Sequence, residues 1–376
     1  MGNKVAAVLC RSYEQEEVDR GVEEAIQKIG FVIPSGKKVL IKPNIMSQNR
    51  PLQHTITHYS VVHALCRLLR KAECQIYIGE SIAFYQKGLT RKAFRVSGIE
   101  EVAREFGATL VCFEEVPLRK IEKGLAGLPE LYLPEILFDM DLIINACKLK
   151  SHGALRLSGA IKNLYGCLLG GYKQKIHRWT DSEFSFADVL IDIHKSLGPV
   201  LHVMDAVVSL DGGPTALGRP VQTSRILASE NPAAMDVVAG RMIGYEPEEV
   251  PILLQAKDRG VIGDFHDIQV LGETGTFSFR HLVKGDLYRK TDPDSFFVKH
   301  TYVDVVAKAT KCDCCKKCIS ACPVDAICCN GQNVFINRQK CINCYRCFFA
   351  CPKGAVRIKA SKINKIIRLL RRISRL

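Results

Sequence analysis

No segment of this sequence reaches the ~18 consecutive apolar residues that a membrane-spanning helix requires. Met1-Gly2-Asn3-Lys4 runs straight into an apolar stretch, without an apolar signal core and a small-residue cleavage site, so no secretion signal is expected. Gly2 is a poor lipidation site, because Ala6 stands where Ser or Thr is wanted. No low-complexity tract argues for disorder. The Gly-x4-Gly-Lys-Ser/Thr loop is missing, as is a Gly-x-Gly-x-x-Gly turn after the first strand; nucleotide hydrolysis and dinucleotide binding lose support. His-Glu-x-x-His and Gly-x-Ser-x-Gly are missing too.

What is present starts with cysteine. There are 17 in 376 residues, and without a secretion signal they point to metal binding in a reducing, cytoplasmic setting instead of disulfides. Eleven lie between Cys312 and Cys351; Cys10, Cys66, Cys74, Cys112, Cys147 and Cys167 are scattered, as small buried hydrophobes usually are. The length suits two or three domains, and 47% hydrophobic residues supply a packed core. A net charge of +14 suits an acidic partner, an anionic substrate, an anionic membrane or nucleic acid.

Residues 1–275 alternate short apolar runs with helical periodicity. The runs at 4–11, 38–42, 75–79, 109–113, 141–145 and 200–205 read as strands. Residues 14–29, 59–71, 90–106, 186–197, 233–243 and 252–259 read as helices. The alternation predicts an α/β fold, a mostly parallel sheet with helices on both faces. Pro117, Pro129 and Pro134 break the rhythm, so 114–138 reads as an inserted β-hairpin. Residues 276–310 read as a connection, 311–360 as a small α+β module and 361–376 as a basic tail.

Within 311–360 the pattern Cys312-x2-Cys315-x2-Cys318-x3-Cys322-Pro323 repeats as Cys341-x2-Cys344-x2-Cys347-x3-Cys351-Pro352. Soft thiolates match iron, and three close cysteines can wrap one cube while the fourth ligates the other cube. Cys312, Cys315, Cys318 and Cys351 would then hold one [4Fe-4S] cluster, and Cys341, Cys344, Cys347 and Cys322 a second. Zinc, the rival metal, prefers two separated pairs. Cys314, Cys328 and Cys329 lie outside the pattern and read as non-ligands. The segment resembles the two-cluster bacterial ferredoxins. Its eight basic and two acidic residues between Cys312 and Lys359 depart from the acidic surface of many free ferredoxins. Positive surroundings favour a reduced cluster and suit an acidic redox partner protein.

In an open α/β sheet, ligands bind beyond the carboxyl ends of the strands. Lys42 and Asn44, Lys148, Lys150 and His152, and Asp205 all stand at such ends. In an extended chain Lys148, Lys150 and His152 share one face, an arrangement that suits a carboxylate or phosphate. Lys162, Asn163 and the Asp211-Gly212-Gly213-Pro214 turn are further candidates. These pieces resemble the DUF362 family, proteins of unknown reaction often fused to ferredoxin modules. The matching residues are Ile41-Lys42-Pro43-Asn44, Asn145 to His152, Lys162-Asn163 with Gly166, Asp205 and Asp211 to Pro214. Cys147 replaces an expected Pro, and Asp211 an expected Glu.

Six basic and no acidic residues occupy 361–376, with Ile363, Ile366, Ile367, Leu370 and Ile373 on one helical face. That pattern suits peripheral contact with the inner face of a membrane or an acidic partner. Nucleic acid is disfavoured, because no stacking aromatics accompany the charges. Three functions remain open. The first is an oxidoreductase acting on an anionic substrate, with His152 or Asp205 exchanging protons. The second is a non-catalytic electron carrier or maturation factor docking on a partner enzyme. The third is a redox sensor.

Overall fold

The computed structural model describes residues 3–82, 87–153, 155–198, 200–212, 218–280, 303–331 and 334–361, with 300 and 363 standing alone. The strands are β1 (Lys4–Leu9), β2 (Lys38–Pro43), β3 (Gln75–Glu80), β4 (Thr109–Cys112), β5 (Leu118–Ile121), β6 (Leu131–Pro134), β7 (Leu142–His152), β8 (Arg156–Ser158), β9 (Val200–Asp211), β10 (Arg219–Ser229), β11 (Gln269–Gly272), β12 (Val303–Ala307), β13 (Ile327–Cys329), β14 (Val334–Ile336) and β15 (Val356–Ala360).

Nine strands form one sheet in the order β11-β1-β10-β9-β7-β2-β3-β4, with β8 folded back on β7. From β9 to β4 every neighbour is parallel. β10 is antiparallel to both β9 and β1, so β1, β9, β7, β2 and β3 end at the same edge. The expected mostly parallel α/β fold is what forms.

Side chains alternate across each strand, and the core splits accordingly. Val39 and Ile41 face one apolar layer, under the helices Gln15–Lys28, Tyr59–Lys71, Leu89–Val96 and Ile99–Phe106. Leu40 and Ile143 face the other, under Gly170–Trp179, Glu183–Ser196, Pro232–Met242 and Pro251–Asp258. Burial on both faces explains why the parallel strands read as continuous apolar runs. Helix Tyr59–Lys71 shows the local logic: His58 Nδ1 accepts the Ser60 N–H at its start, and Val61, Val62, Leu65, Cys66 and Leu69 are buried. Burying one such leucine is worth about 1.5–3 kcal/mol.

Four expectations change. The helix read over 90–106 is two, because Gly98 adopts φ 81° between them. β7 and β9 extend well past 145 and 205, carrying their polar residues inside the sheet. β10 and β11, both partly polar, were not anticipated. The small module begins at Val303, not 311, because β12 pairs with β15 from Val303↔Ala360 to Ala307↔Val356. The inserted hairpin forms as β5 and β6.

Candidate functional site

Four segments converge at the carboxyl edge of the sheet. β2 delivers Lys42 and Asn44, and β3 delivers Glu80. The short helix Ala160–Asn163 delivers Lys162 and Asn163. It starts where it does because buried Asp236 accepts the N–H groups of Ala160 at 2.5 Å and Ile161 at 3.0 Å. Burial raises the Asp236 carboxyl to about 7 against those two bonds. Helix Gly170–Trp179 closes the third side with Lys173 and His177. Together these residues, with His152, Ser158 and Tyr165, line a cavity of about 300 Å³.

The charges in this cavity do not balance. Lys42 is fully buried and pairs with Glu80 at 2.7 Å. Gly166 permits that pair: a Cβ there would lie 2.5 Å from Glu80 Oε1 and overlap Lys42 Nζ. Lys173 donates to the Ser81 carbonyl. Among the described residues, the Lys162 ammonium has no hydrogen bond or ion pair. Burial, then Lys173 and Lys42, lower Lys162 to about 8. Burial outweighs Glu80 and lowers Lys173 to about 8. Three lysines against one carboxylate leave room for an anion.

The histidines are neutral. Burial, then Lys162, His177 and Lys150, hold His152 well below the usual histidine range. His152 Nδ1 accepts the Leu155 N–H at 3.2 Å, which puts its proton on Nε2. Burial and Lys162 lower His177 to about 3. His152 therefore offers a hydrogen bond and not an imidazolium proton. Beneath the cavity, Asn44 donates to Asn163 at 2.9 Å and Asn163 to Asn145 at 2.7 Å, which fixes the amide orientations.

Other anticipated residues are elsewhere. Lys148 and Asp205 pair at 2.9 Å, both fully buried, and Tyr13 bridges them. The pair lies outside the cavity lining and has used its charges up. Removing one partner of such a pair costs about 3–5 kcal/mol, so Asp205 serves the fold as the buried counter-ion of Lys148. Lys150 sits behind Asn44, donating to Asn44 Oδ1 and the Thr55 carbonyl. Burial, then Lys162, Lys148 and Lys42, depress it well below the lysine range. Gly212 donates to Ser151 Oγ at 2.9 Å and does not line the cavity; Gly213 lies outside the described residues. Cys147 is buried and its thiol far raised by burial, as a structural thiol is. Glu80, Lys173 and His177 were not anticipated. A larger cavity, about 550 Å³, opens at the opposite sheet edge near Asn3, His194 and Gly260, and lacks converging lysines.

The cysteine module is a structural repeat. Cys314 and Asn343, Lys316 and Tyr345, and Asp325 and Gly354 are each 29 residues apart and each has positive φ: 52° and 57°, 59° and 65°, 48° and 59°. The thiols group across the repeat. Cys318 is raised by burial and by Cys351 and Cys312. Cys344 is raised to about 12 by burial, with Cys341 and Cys322 adding to it. Cys312, Cys315, Cys318 and Cys351, with Cys314 beside them, line one small cavity. Ala326 N–H donates to Cys322 Sγ at 3.3 Å and Ala355 N–H to Cys351 Sγ at 3.2 Å, the same bond in each half. Crossed thiol sets and backbone N–H groups aimed at sulfur fit iron–sulfur ligation.

The module packs against the cavity wall. Ile342 and Cys344 join the apolar layer that contains Leu168, Leu169 and Tyr172. Lys175 donates to the Cys341 carbonyl, and Lys87 to the carbonyls of Phe349 at 3.2 Å and Cys351 at 3.4 Å.

Comparison with known proteins fits this division. Residues 333–356 match the 4Fe-4S binding domain, a stretch that contains the Cys341–Cys351 motif. Thylakoid-associated protein sll1697 of Synechocystis sp. is 27% identical over 266 residues, covering 69% of this chain and 81% of that protein. The lactate racemase apoprotein of Thermoanaerobacterium thermosaccharolyticum aligns at TM-score 0.35 and 15% identity, over 62% of this chain and 55% of that one. Residues 39–241, more than half of the chain, match the domain of unknown function DUF362, and the protein belongs to that family, with a 4Fe-4S ferredoxin-type domain following.

Proposed function

We propose that this chain is an iron–sulfur oxidoreductase that holds two [4Fe-4S] clusters and binds an anionic substrate in the Lys42–Lys162–Lys173 cavity. The observation that carries the reading is helix Gly170–Trp179. Its Lys173 and His177 line the cavity, while Gly170, Gly171 and Lys175 touch the second cysteine motif.

Clusters bound at the two sets, Cys312, Cys315, Cys318 with Cys351 and Cys341, Cys344, Cys347 with Cys322, would supply single electrons. The protein does the rest. Lys162 and Lys173 hold a carboxylate or phosphate, and Asn44 and His152 Nε2 offer it hydrogen bonds. Lys162, with its pKa near 8, is the group best placed to deliver a proton to a substrate that gains negative charge. Gly166 and the Lys42–Glu80 pair keep the wall rigid. Exposed Lys316, Lys317 and Lys353, beside Cys315, form a basic surface for an acidic electron-carrying partner.

The test is composition. Anaerobically purified, fully loaded protein is expected to contain about eight iron and eight sulfide per chain, from two four-iron cubes. The dithionite-reduced sample should give the EPR spectrum of two interacting clusters. Four irons or fewer would sink the two-cluster reading.

The basic segment 361–376 lies almost wholly outside the described residues. Among the described residues no helix is long and apolar enough to cross a membrane. A relative named thylakoid-associated supports peripheral membrane contact. Deleting 362–376 should reduce sedimentation with vesicles of anionic lipid, and unchanged binding would remove this contact.

A further inference from the structure

Two cysteines outside the repeated eight-cysteine pattern face each other. Cys329 Sγ lies 2.8 Å from Cys314 Sγ, inside the contact distance of two non-bonded sulfur atoms and beyond the about 2.0 Å of a disulfide. Both are half-buried, so a small reagent can reach them.

The repeat shows that neither is needed for the fold. Their counterparts 29 residues on are Asn343 and Ile358. Asn343 is the natural choice at its position, because asparagine tolerates left-handed φ. Cys314 takes the same conformation, φ 52°, where cysteine has no such tolerance. The side chain is thus held at a conformational cost, and it meets a second thiol supplied by the end of β13. The second repeat builds the same loop, and a strand at the β13 position (β15, paired with β12), without either thiol.

We infer that Cys314 and Cys329 form a redox-active dithiol beside the first cluster motif, one that closes to a disulfide on exchange with a low-molecular-weight disulfide such as oxidised glutathione. The Cys329 thiolate attacks one sulfur of the small disulfide and releases one small thiol. Cys314 then attacks the Cys329 sulfur of the mixed disulfide and releases the second. Two protein thiols are oxidised to one disulfide, two small thiols form, and the two thiol protons pass to them. The new bond ties the Cys312–Cys315 loop to the β13–β14 hairpin. It encloses Cys315, Cys318 and Cys322 in one covalent loop, which hinders loss of whatever those thiols hold.

The test uses the full chain, loaded and kept anaerobic. It is incubated with oxidised glutathione, blocked with N-ethylmaleimide, digested and examined by mass spectrometry. One cross-link, Cys314–Cys329, is expected, with two free thiols lost per chain, iron content unchanged, and reversal by dithiothreitol. Release of iron to a chelator should slow severalfold in the oxidised sample. Cys329→Ser should abolish both the cross-link and the slowing, while keeping the iron. Cys314 and Cys329 both remaining alkylatable after oxidation would overturn the inference, as would cross-links that engage the eight patterned cysteines. Loss of about four irons in Cys314→Ser would also overturn it, by making Cys314 a ligand. Iron and sulfide measured on the same sample separate this outcome from a wrong cluster count, since the cross-link depends only on the two thiols.

Discussion

Lys162→Met is expected to weaken binding of small oxyanions by roughly 10- to 150-fold. A hydrogen bond to a charged group is worth about 1.5–3 kcal/mol, and each 1.4 kcal/mol is a factor of ten. Titration calorimetry with inorganic phosphate and with malonate would read it. The variant should fold normally, because Lys162 has no partner among the described residues to leave behind. Binding to the native chain should also fall as pH rises through about 8, where burial places the Lys162 and Lys173 ammonium groups. Stability should move the other way. Both lysines bind protons less tightly in the folded chain than at their ordinary 10.5. Between about 8 and 10.5 the unfolded chain therefore holds more protons, and unfolding free energy rises with pH. Opposite trends in binding and stability separate a charged site from a general pH effect. An affinity that stays flat from pH 7 to 9, or is the same in Lys162→Met, removes the anion site.

The two halves of the chain were legible to different degrees, for a physical reason. Cluster ligands come close together in sequence because one loop must wrap one cube, so spacing alone exposes Cys312 to Cys351. The cavity is assembled from strand ends far apart in the chain. The rule that strand ends face ligands found Lys42, Asn44 and His152, and applied to β3 it reaches Glu80 as well. The same rule also pointed to Lys148 and Asp205. It sees position and not partner, and those two neutralise each other across β7 and β9. Lys150 shares their strand face but is covered by the 44–55 loop. Lys173 and His177 escaped because the helix that carries them opens on Gly170-Gly171, a pair that reads as a loop. β10 was missed because its first half is polar and exposed, without strand-like alternation.

That glycine pair carries the second large effect. Gly171→Ala is expected to part the cysteine module from the cavity wall. A Cβ on Gly171 would overlap Tyr345 Oη and lie 2.7 Å from Cζ; one on Gly170 would lie 2.5 Å from Cδ2. Tyr345 has no room to retreat, being 2% exposed and held at φ 65° with its hydroxyl donating to the Val303 carbonyl at 3.3 Å. Overpacking of this kind costs about 1–3 kcal/mol. Because the clash sits at the seam, the chain should relieve it by loosening the seam, not by unfolding either half. Thermal unfolding should then split into two transitions. Tyr345→Phe removes the nearest atom, so the double variant should recover part of the loss. Rescue of that sign marks direct contact, whereas additive losses would mean that Gly171 acts elsewhere. Reduced protein offers the functional readout. If helix Gly170–Trp179 links the Cys341–Cys347 motif to Lys173 and His177, Gly171→Ala should retain its iron yet lose coupling, so that phosphate no longer perturbs the EPR signal. A variant that keeps a single transition and an anion-sensitive signal would show that the seam is not the link.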